Sequence, residues 1–441
     1  MTNSSDTTAT STAPPKTGGP FARFMRATEI DPRLVGMVGA LLLIWVGFHI
    51  YSALFMGGGT FLTPRNLWNL SVQTASIGIM AMGMVLIIIT RNIDLSVGSL
   101  VGLTGMVMGI LQVEILPNYL GLGHPLIWVI TTIVGIAVGA LIGAFHGWLS
   151  AYRDIPSFIV TLGGLMIWRS AAFLAANGKT ISPVDETFAL LGGGPYGAIG
   201  QIGSWIVGVI ACVGVVFMIL QGRKNRQKHG FVLRPMWAET FMCLLGCGVV
   251  IGSVLVVNGY PWPVGILNQY YAKLGEPVPE GIFVSHGFAY PVLILAAVGV
   301  AMTILMTRTR FGRYVFAIGG NPEAAALAGI NTRSMTVSIF TLMGALSGLA
   351  GVVASARLNS ATNALGVGDE LFVIAAAVIG GTSLAGGVGT IYGAILGALV
   401  MKSLQTGMVL IGFDTAVQNM VVGAVLVLAV WLDNTYRKRI K

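Results

Sequence analysis

Residues 126–149 read LIWVITTIVGIAVGALIGAFHGWL, a run without Asp, Glu, Lys or Arg. About 20 apolar residues in helical conformation cross the hydrocarbon core of a bilayer, so this stretch predicts a membrane span. Gly135, Gly139, Gly143 and Gly147 recur within it every four residues, which places them on one helix face. In lipid, small residues on such a face let a neighbouring helix approach closely. A groove lining a pathway is the other use of the same stripe. Gly344 with Gly348, and Gly393 with Gly397, repeat the spacing.

Working outward, comparable runs recur along the whole chain. They fall at about 34–56, 66–90, 94–113, 126–149, 157–176, 203–221, 236–257, 287–307, 334–355, 370–384, 388–411 and 415–432. The expected fold is therefore all-α and polytopic, with about twelve helical segments. The segment 370–384 is short and is broken by Gly380 and Gly381. Composition agrees: 55% of the 441 residues are hydrophobic and 9% are charged, against about 25% charged in a soluble domain.

Charge distribution sets an expected orientation. With the N-terminus in the cytoplasm and sides alternating, nineteen of the 25 Lys and Arg fall inside and four outside, while Arg169 and Lys402 lie within spans. This is the asymmetry of the positive-inside rule. It puts both termini in the cytoplasm, and it explains the net charge of +9 without nucleic-acid binding. Three regions follow: a disordered cytoplasmic tail (1–33), whose Thr/Ser/Pro-rich start cannot bury a core; a membrane domain (34–435) with a long cytoplasmic loop at 308–333; and a short cytoplasmic tail (436–441).

Several functions are disfavoured. No G-x-x-x-x-G-K-[ST] phosphate loop is present; Gly178-Lys179-Thr180 has Phe173 where the first glycine belongs. The chain is thus expected to bind no cofactor of its own. Asp94, Glu114, Glu239, Glu370 and Asp414 sit at the expected span ends, and neither His49 nor His146 has an acidic neighbour in its own helix. Ion-coupled transport, which uses ionisable groups inside the membrane, is disfavoured on that ground. Cys212, Cys243 and Cys247 lie in apolar runs and read as packing residues.

Three segments carry functional candidates. In Thr90-Arg91-Asn92-Ile93-Asp94-Leu95-Ser96-Val97-Gly98-Ser99, either Asn92 or Asp94 caps the next helix while Ser96 and Ser99 pack, or these residues line the inner mouth of a pathway. The stretch Gly380–Thr390, with Thr382, Ser383, Gly386 and Gly387, is either a tight glycine turn or a second part of the same gate. Both read as an apolar run, a polar Ser/Gly turn and a small-residue helix, which suggests a parallel internal duplication. Interrupted hydrophobic segments at matching places in two halves point to a transport pathway.

The third is the loop 308–333, which contains Arg313. Asn321 reads as an N-cap, Pro322 as the first helical position, Glu323 as a favourable first-turn charge, and Gly329 and Asn331 as stop signals. So short a helix is unstable alone and is expected to dock, with Ala324, Ala325 and Ala328 permitting close approach. A solvated or lipid-lying connector is the alternative.

The segments 92–99, 155–163 (IPSFIVTLG), 319–331 and 380–389 together resemble the ribose/xylose class of ABC sugar permeases, over about residues 34–435. The basic loop at 222–235 and the extra span at 236–257 are similar to the xylose-type branch. The resemblance implies a permease of the type II ABC importer kind in a bacterial inner membrane. It also implies a coupling helix at 323–329, a second permease copy, two ATP-binding subunits that supply ATP and Mg, and a periplasmic sugar-binding protein. The alternatives are a branched-chain amino acid ABC permease and, from a different class, an ion-coupled sugar symporter.

Overall fold

Proline-led helix starts set much of the local order. Asp31 precedes Pro32 and its carboxylate accepts from the Arg33 amide; Thr63 and Asn321 do the same ahead of Pro64 and Pro322. Each cap satisfies an orphan amide while proline presets the helical φ. The computed structural model describes residues 19–438. Among them it contains helices and three isolated bridges but no strand.

The first half comprises α1 (Pro20–Thr28), α2 (Pro32–Phe55), α3 (Pro64–Ile89), α4 (Val97–Ile110), α5 (Pro117–Leu120), α6 (Leu126–Tyr152), α7 (Ser157–Ala175), α8 (Glu186–Leu190) and α9 (Gly200–Lys228). A π-helical turn, Leu111–Ile115, joins α4 to α5. The rest comprises α10 (Met236–Asn258), α11 (Val264–Leu274), α12 (Tyr290–Arg308), α13 (Arg310–Gly320), α14 (Pro322–Leu327), α15 (Thr332–Leu358), α16 (Asp369–Ile379), α17 (Ile391–Leu410) and α18 (Thr415–Lys438).

Ten helical stretches among the described residues are long and apolar enough to cross a membrane, with Thr415–Trp431 a shorter apolar one. Together with α16 they match all twelve expected segments. The 11 residues of α16 rise about 16 Å, roughly half of a hydrocarbon core of about 30 Å. It stops before Gly380, where the sequence broke the run.

A helix that is apolar on every side is buried in lipid or in protein, and packing separates the two. The apolar window of α3 is 89% buried, and its residues from Ile77 to Ile89 form the centre of the main core with α15, α16 and α17. The windows of α2, α9 and α10 are 11% buried, so their apolar surface faces outward. The glycine stripe of α6 packs on α15: a Cβ on Gly139 would stand 2.3 Å from the Gly344 carbonyl oxygen, and one on Gly143 2.1 Å from that of Phe340. Close helix approach is therefore the use of this stripe. Cys212 and Cys247 face each other across α9 and α10, each thiol 3.9–4.0 Å from the other's carbonyl oxygen.

Helix extends into both expected tails. Residues 20–28, placed in a disordered tail, form α1, because Phe24 packs on Trp237 (centroids 6.0 Å apart) and edge-on against Phe241 (5.3 Å) of α10. Glu29 then bridges Arg226 and Arg234, and these guanidiniums hold its carboxyl down at a pKa of about 2. At the other end α18 runs on to Lys438, into the expected 436–441 tail. Residues 1–18 and 439–441 lie outside the described residues.

Candidate translocation gate

The turn after α3 is the hub. The helix ends at Ile89 because Arg91 takes a left-handed conformation, φ 62°. This turns its side chain toward the end of α13, where Nε donates to the Gly319 carbonyl (3.1 Å) and Nη2 to that of Gly320 (2.7 Å). The Gly387 amide donates to the Ile89 carbonyl at 3.0 Å. Three chain segments therefore meet: the 90–96 turn, the 386–387 turn, and the residues just before α14.

Glycine is required at this junction. Gly386 has φ 87°, and a Cβ there would lie 2.6 Å from Cγ of Arg91 and 2.8 Å from the Gly319 oxygen. A Cβ on Gly319 would stand 2.2 Å from the Ile89 oxygen. The Ser383 amide donates to Val388 and the Gly386 amide to Ser383, closing the loop on itself. Thr382 and Ser383 are fully buried.

The other face of the 90–96 turn is held by α6 and α7. The Ile93 amide donates to Ser157 Oγ (3.3 Å), and Thr161 Oγ1 donates to the Ile93 carbonyl (3.3 Å). Two of the four resembling segments are thus in direct contact. Asp94 is buried, and one carboxylate oxygen accepts from the Ser96 amide (2.8 Å) and hydroxyl (2.6 Å). Ser96 Oγ lies 3.2 Å from His146 Nδ1, and Trp168 Nε1 donates to His146 Nε2 at 2.9 Å. Since Nε2 accepts, a neutral ring carries its proton on Nδ1. The hydrogen bonds then run in one direction, Trp168 to His146 to Ser96 to Asp94.

Several expectations need correcting here. Asp94 bonds two residues ahead and Asn92 donates back to Thr90, so neither caps α4 from its first position; Ser96 is the residue at its start. Ser99 Oγ bonds the Ser96 carbonyl. Asp94, Ser96, Ser99, Thr382 and Ser383 are all buried in the chain; Asp94 and Ser96 tie the 90–96 turn to α6 through His146, whereas the Thr382 hydroxyl has no hydrogen-bond partner among the described residues. His146 has no acidic neighbour in its own helix, as read, but reaches Asp94 of another element through Ser96. Arg91 was missed, although an arginine ending an apolar run was the available signal.

In the 308–333 loop, Asn321 caps α14 through the Ala324 amide (3.0 Å), and Gly329 ends the helix at φ 84°. Asn331 does more than stop a helix: its side chain caps α15 through the Ser334 amide (3.0 Å). Arg313 is exposed on α13, a helix the sequence reading left as loop, though buried Val315 and Ile318 carry a helical spacing. Glu323, Ala324 and Ala328 are exposed, but Ala325 is buried against its own chain. The outer face instead presents Leu327, 91% exposed.

Comparison with known proteins agrees with this architecture. A family described as "Branched-chain amino acid transport system / permease component" matches residues 66–221 and 187–430. The xylose transport system permease protein XylH of Haemophilus influenzae is 38% identical, covering 86% of this chain and 92% of that protein. XylH of Escherichia coli K12 is 36% identical over 97% of both chains. The ribose import permease protein RbsC of the same organism is 32% identical over 85% of this chain and 87% of its own. No solved structure matches the chain. With the family match spanning most of the membrane domain and these relatives aligned over most of their lengths, the chain belongs to this family of transport-system permease components.

Proposed function

We propose that this chain is the membrane-spanning subunit of an ATP-driven importer for a pentose, D-xylose in the first place. The observation that carries this reading is the match to a xylose permease over 427 of 441 residues. The chain passes cargo, while ATP and Mg are bound by two partner ATPase subunits and a periplasmic binding protein delivers the sugar. A second permease copy completes the pathway, and both termini face the cytoplasm of a bacterial inner membrane. The α14 helix, with Leu327 and Glu323 outward, docks on the ATPase. Its motion reaches the gate through Gly319 and Gly320, which Arg91 grips.

The family description names a branched-chain amino acid system, so the cargo requires a direct test. The permease, reconstituted with its ATPase and binding protein, is expected to import xylose with ATP and with proton and sodium gradients collapsed, and to leave leucine outside. Uptake that follows a gradient, or that favours leucine, would refute the reading.

A further inference from the structure

A second group of ionisable residues lies deep in the membrane domain, away from the gate. Asp369 and Glu370 open α16, whose other end is the Gly380 turn. Lys402 lies on α17, 11 residues beyond its start at Ile391 after the same turn. At about 1.5 Å per residue both positions stand some 15–17 Å from that turn, about half the thickness of a hydrocarbon core of about 30 Å. The carboxylate of Asp369 lies within electrostatic reach of Lys402, Arg169 and Arg357, and that of Glu370 within reach of Arg169.

No two of these five groups form an ion pair within 4.0 Å, and the ion pairs among the described residues lie elsewhere. Arg169 spends one amino group on the carbonyls of Asn363 (2.7 Å) and Leu365 (2.5 Å), fixing the loop that leads into α16. Lys402 donates to Gln405 at 2.8 Å and lies 5.1 Å from the Phe372 ring centre. Buried polar atoms remain without a partner: Glu370 Oε2, pressed toward Gly98 of α4, and the hydroxyl of Thr406, one turn beyond Lys402 and 8% exposed. Groups of this kind inside a membrane are costly unless something pairs with them. Broken helices that start near mid-membrane are where transporters hold their cargo.

We propose that the head of α16, with Asp369, Glu370, Lys402 and Thr406, is the cargo site of this permease, and that its ligand is a neutral, hydroxyl-rich monosaccharide. This rests on the import function above and locates its binding step. Sugar hydroxyls donate to the two carboxylates and accept from the lysine and arginines at once, which a lone ion cannot do; the preference for a sugar over an amino acid rests on the import function above. Arg169 acts as a positioning residue by holding the 363–365 carbonyls.

The test uses the reconstituted complex with Glu370→Gln, Lys402→Met and Thr406→Val, each checked for membrane abundance and for co-purification of the ATPase. Thr406→Val is nearly isosteric and keeps the test alive if a charge variant fails to fold. The half-saturating xylose concentration is expected to rise about tenfold or more for Glu370→Gln and Lys402→Met, the loss of one hydrogen bond to a charged group, with a shifted xylose-to-ribose preference. Separately, a cysteine at exposed Val367 should be labelled by a thiol reagent more slowly in saturating xylose, with the protection lost in Lys402→Met. Unaltered sugar dependence in all three variants, or labelling indifferent to xylose while wild-type uptake continues, would overturn the site. A wild-type complex that imports leucine and no pentose would remove the import function, and the inference with it.

Discussion

Replacing Gly386 by alanine tests whether the three-segment junction transmits motion. Two costs follow from the structure. Gly386 sits at φ 87°, and holding an L-residue in a left-handed conformation costs about 1–2 kcal/mol. The new Cβ would also meet Arg91 Cγ at 2.6 Å and the Gly319 and Ile89 oxygens at 2.8 and 2.9 Å; overpacking of this kind typically costs about 1–3 kcal/mol. Gly412 supplies the control, with φ 83° and nothing within 4 Å of an added Cβ. Gly412→Ala is therefore expected to lose about 1–2 kcal/mol and Gly386→Ala about 2–5 kcal/mol. Only Gly386→Ala should pry the 386–387 turn from Arg91 and Gly319. The assay is thermal unfolding of the purified permease together with xylose imported per ATP hydrolysed in proteoliposomes. Gly386→Ala should lower that ratio several-fold and Gly412→Ala should leave it unchanged. Equal ratios in the two variants would show that the junction is structural and carries no coupling.

Two further outcomes are expected. Leu327→Asp should leave membrane abundance unchanged but weaken co-purification of the ATPase about tenfold or more, since burying a leucine contributes about 1.5–3 kcal/mol; normal co-purification would make α14 a connector. The Glu29 clasp should depend on pH: its carboxyl is depressed from 4.5 to about 2 in the folded protein, so its contribution is full above 4.5 and is lost as pH falls toward 2. Spin labels at Arg23 and Thr240 should stay close at neutral pH and separate over that acid range, and Glu29→Gln should separate them at neutral pH. Labels in Glu29→Gln that stay together at neutral pH would assign the docking of α1 to Phe24 and its aromatic partners alone.

The sequence by itself determined the helices that lipid demands. Each span is a local property, about 20 apolar residues with the backbone satisfied internally, so the runs at 66–90 and 126–149 could be read without knowing their neighbours. The breaks were local too: Gly380 and Gly381 end α16, and Asn321-Pro322 starts α14. The segments at 90–99 and 380–390 stood out for the same reason, since polar and glycine-rich turns are conspicuous between apolar runs.

Only the tertiary structure decided which apolar helix is inside. By composition α3 and α10 look alike, both long and apolar, yet their apolar stretches are 89% and 11% buried. Hydropathy cannot separate them, because lipid and protein interior are equally apolar. The same limit hid every contact between distant segments. Arg91 and Gly319 are 228 residues apart in sequence, and Ser96 and His146 are 50 apart; nothing in either local pattern specifies its partner. Glu370 read as a span end and Lys402 as a charge within a span, and with Asp369 they became neighbours when α16 and α17 folded back on each other through the Gly380 turn. Close backbone packing sets that arrangement: a Cβ on Gly393 would stand 2.0 Å from the Gly380 oxygen, and one on Gly397 2.0 Å from that of Ala376. Periodicity marks glycines as suited to such an approach, but which helix approaches is settled only when the whole bundle packs.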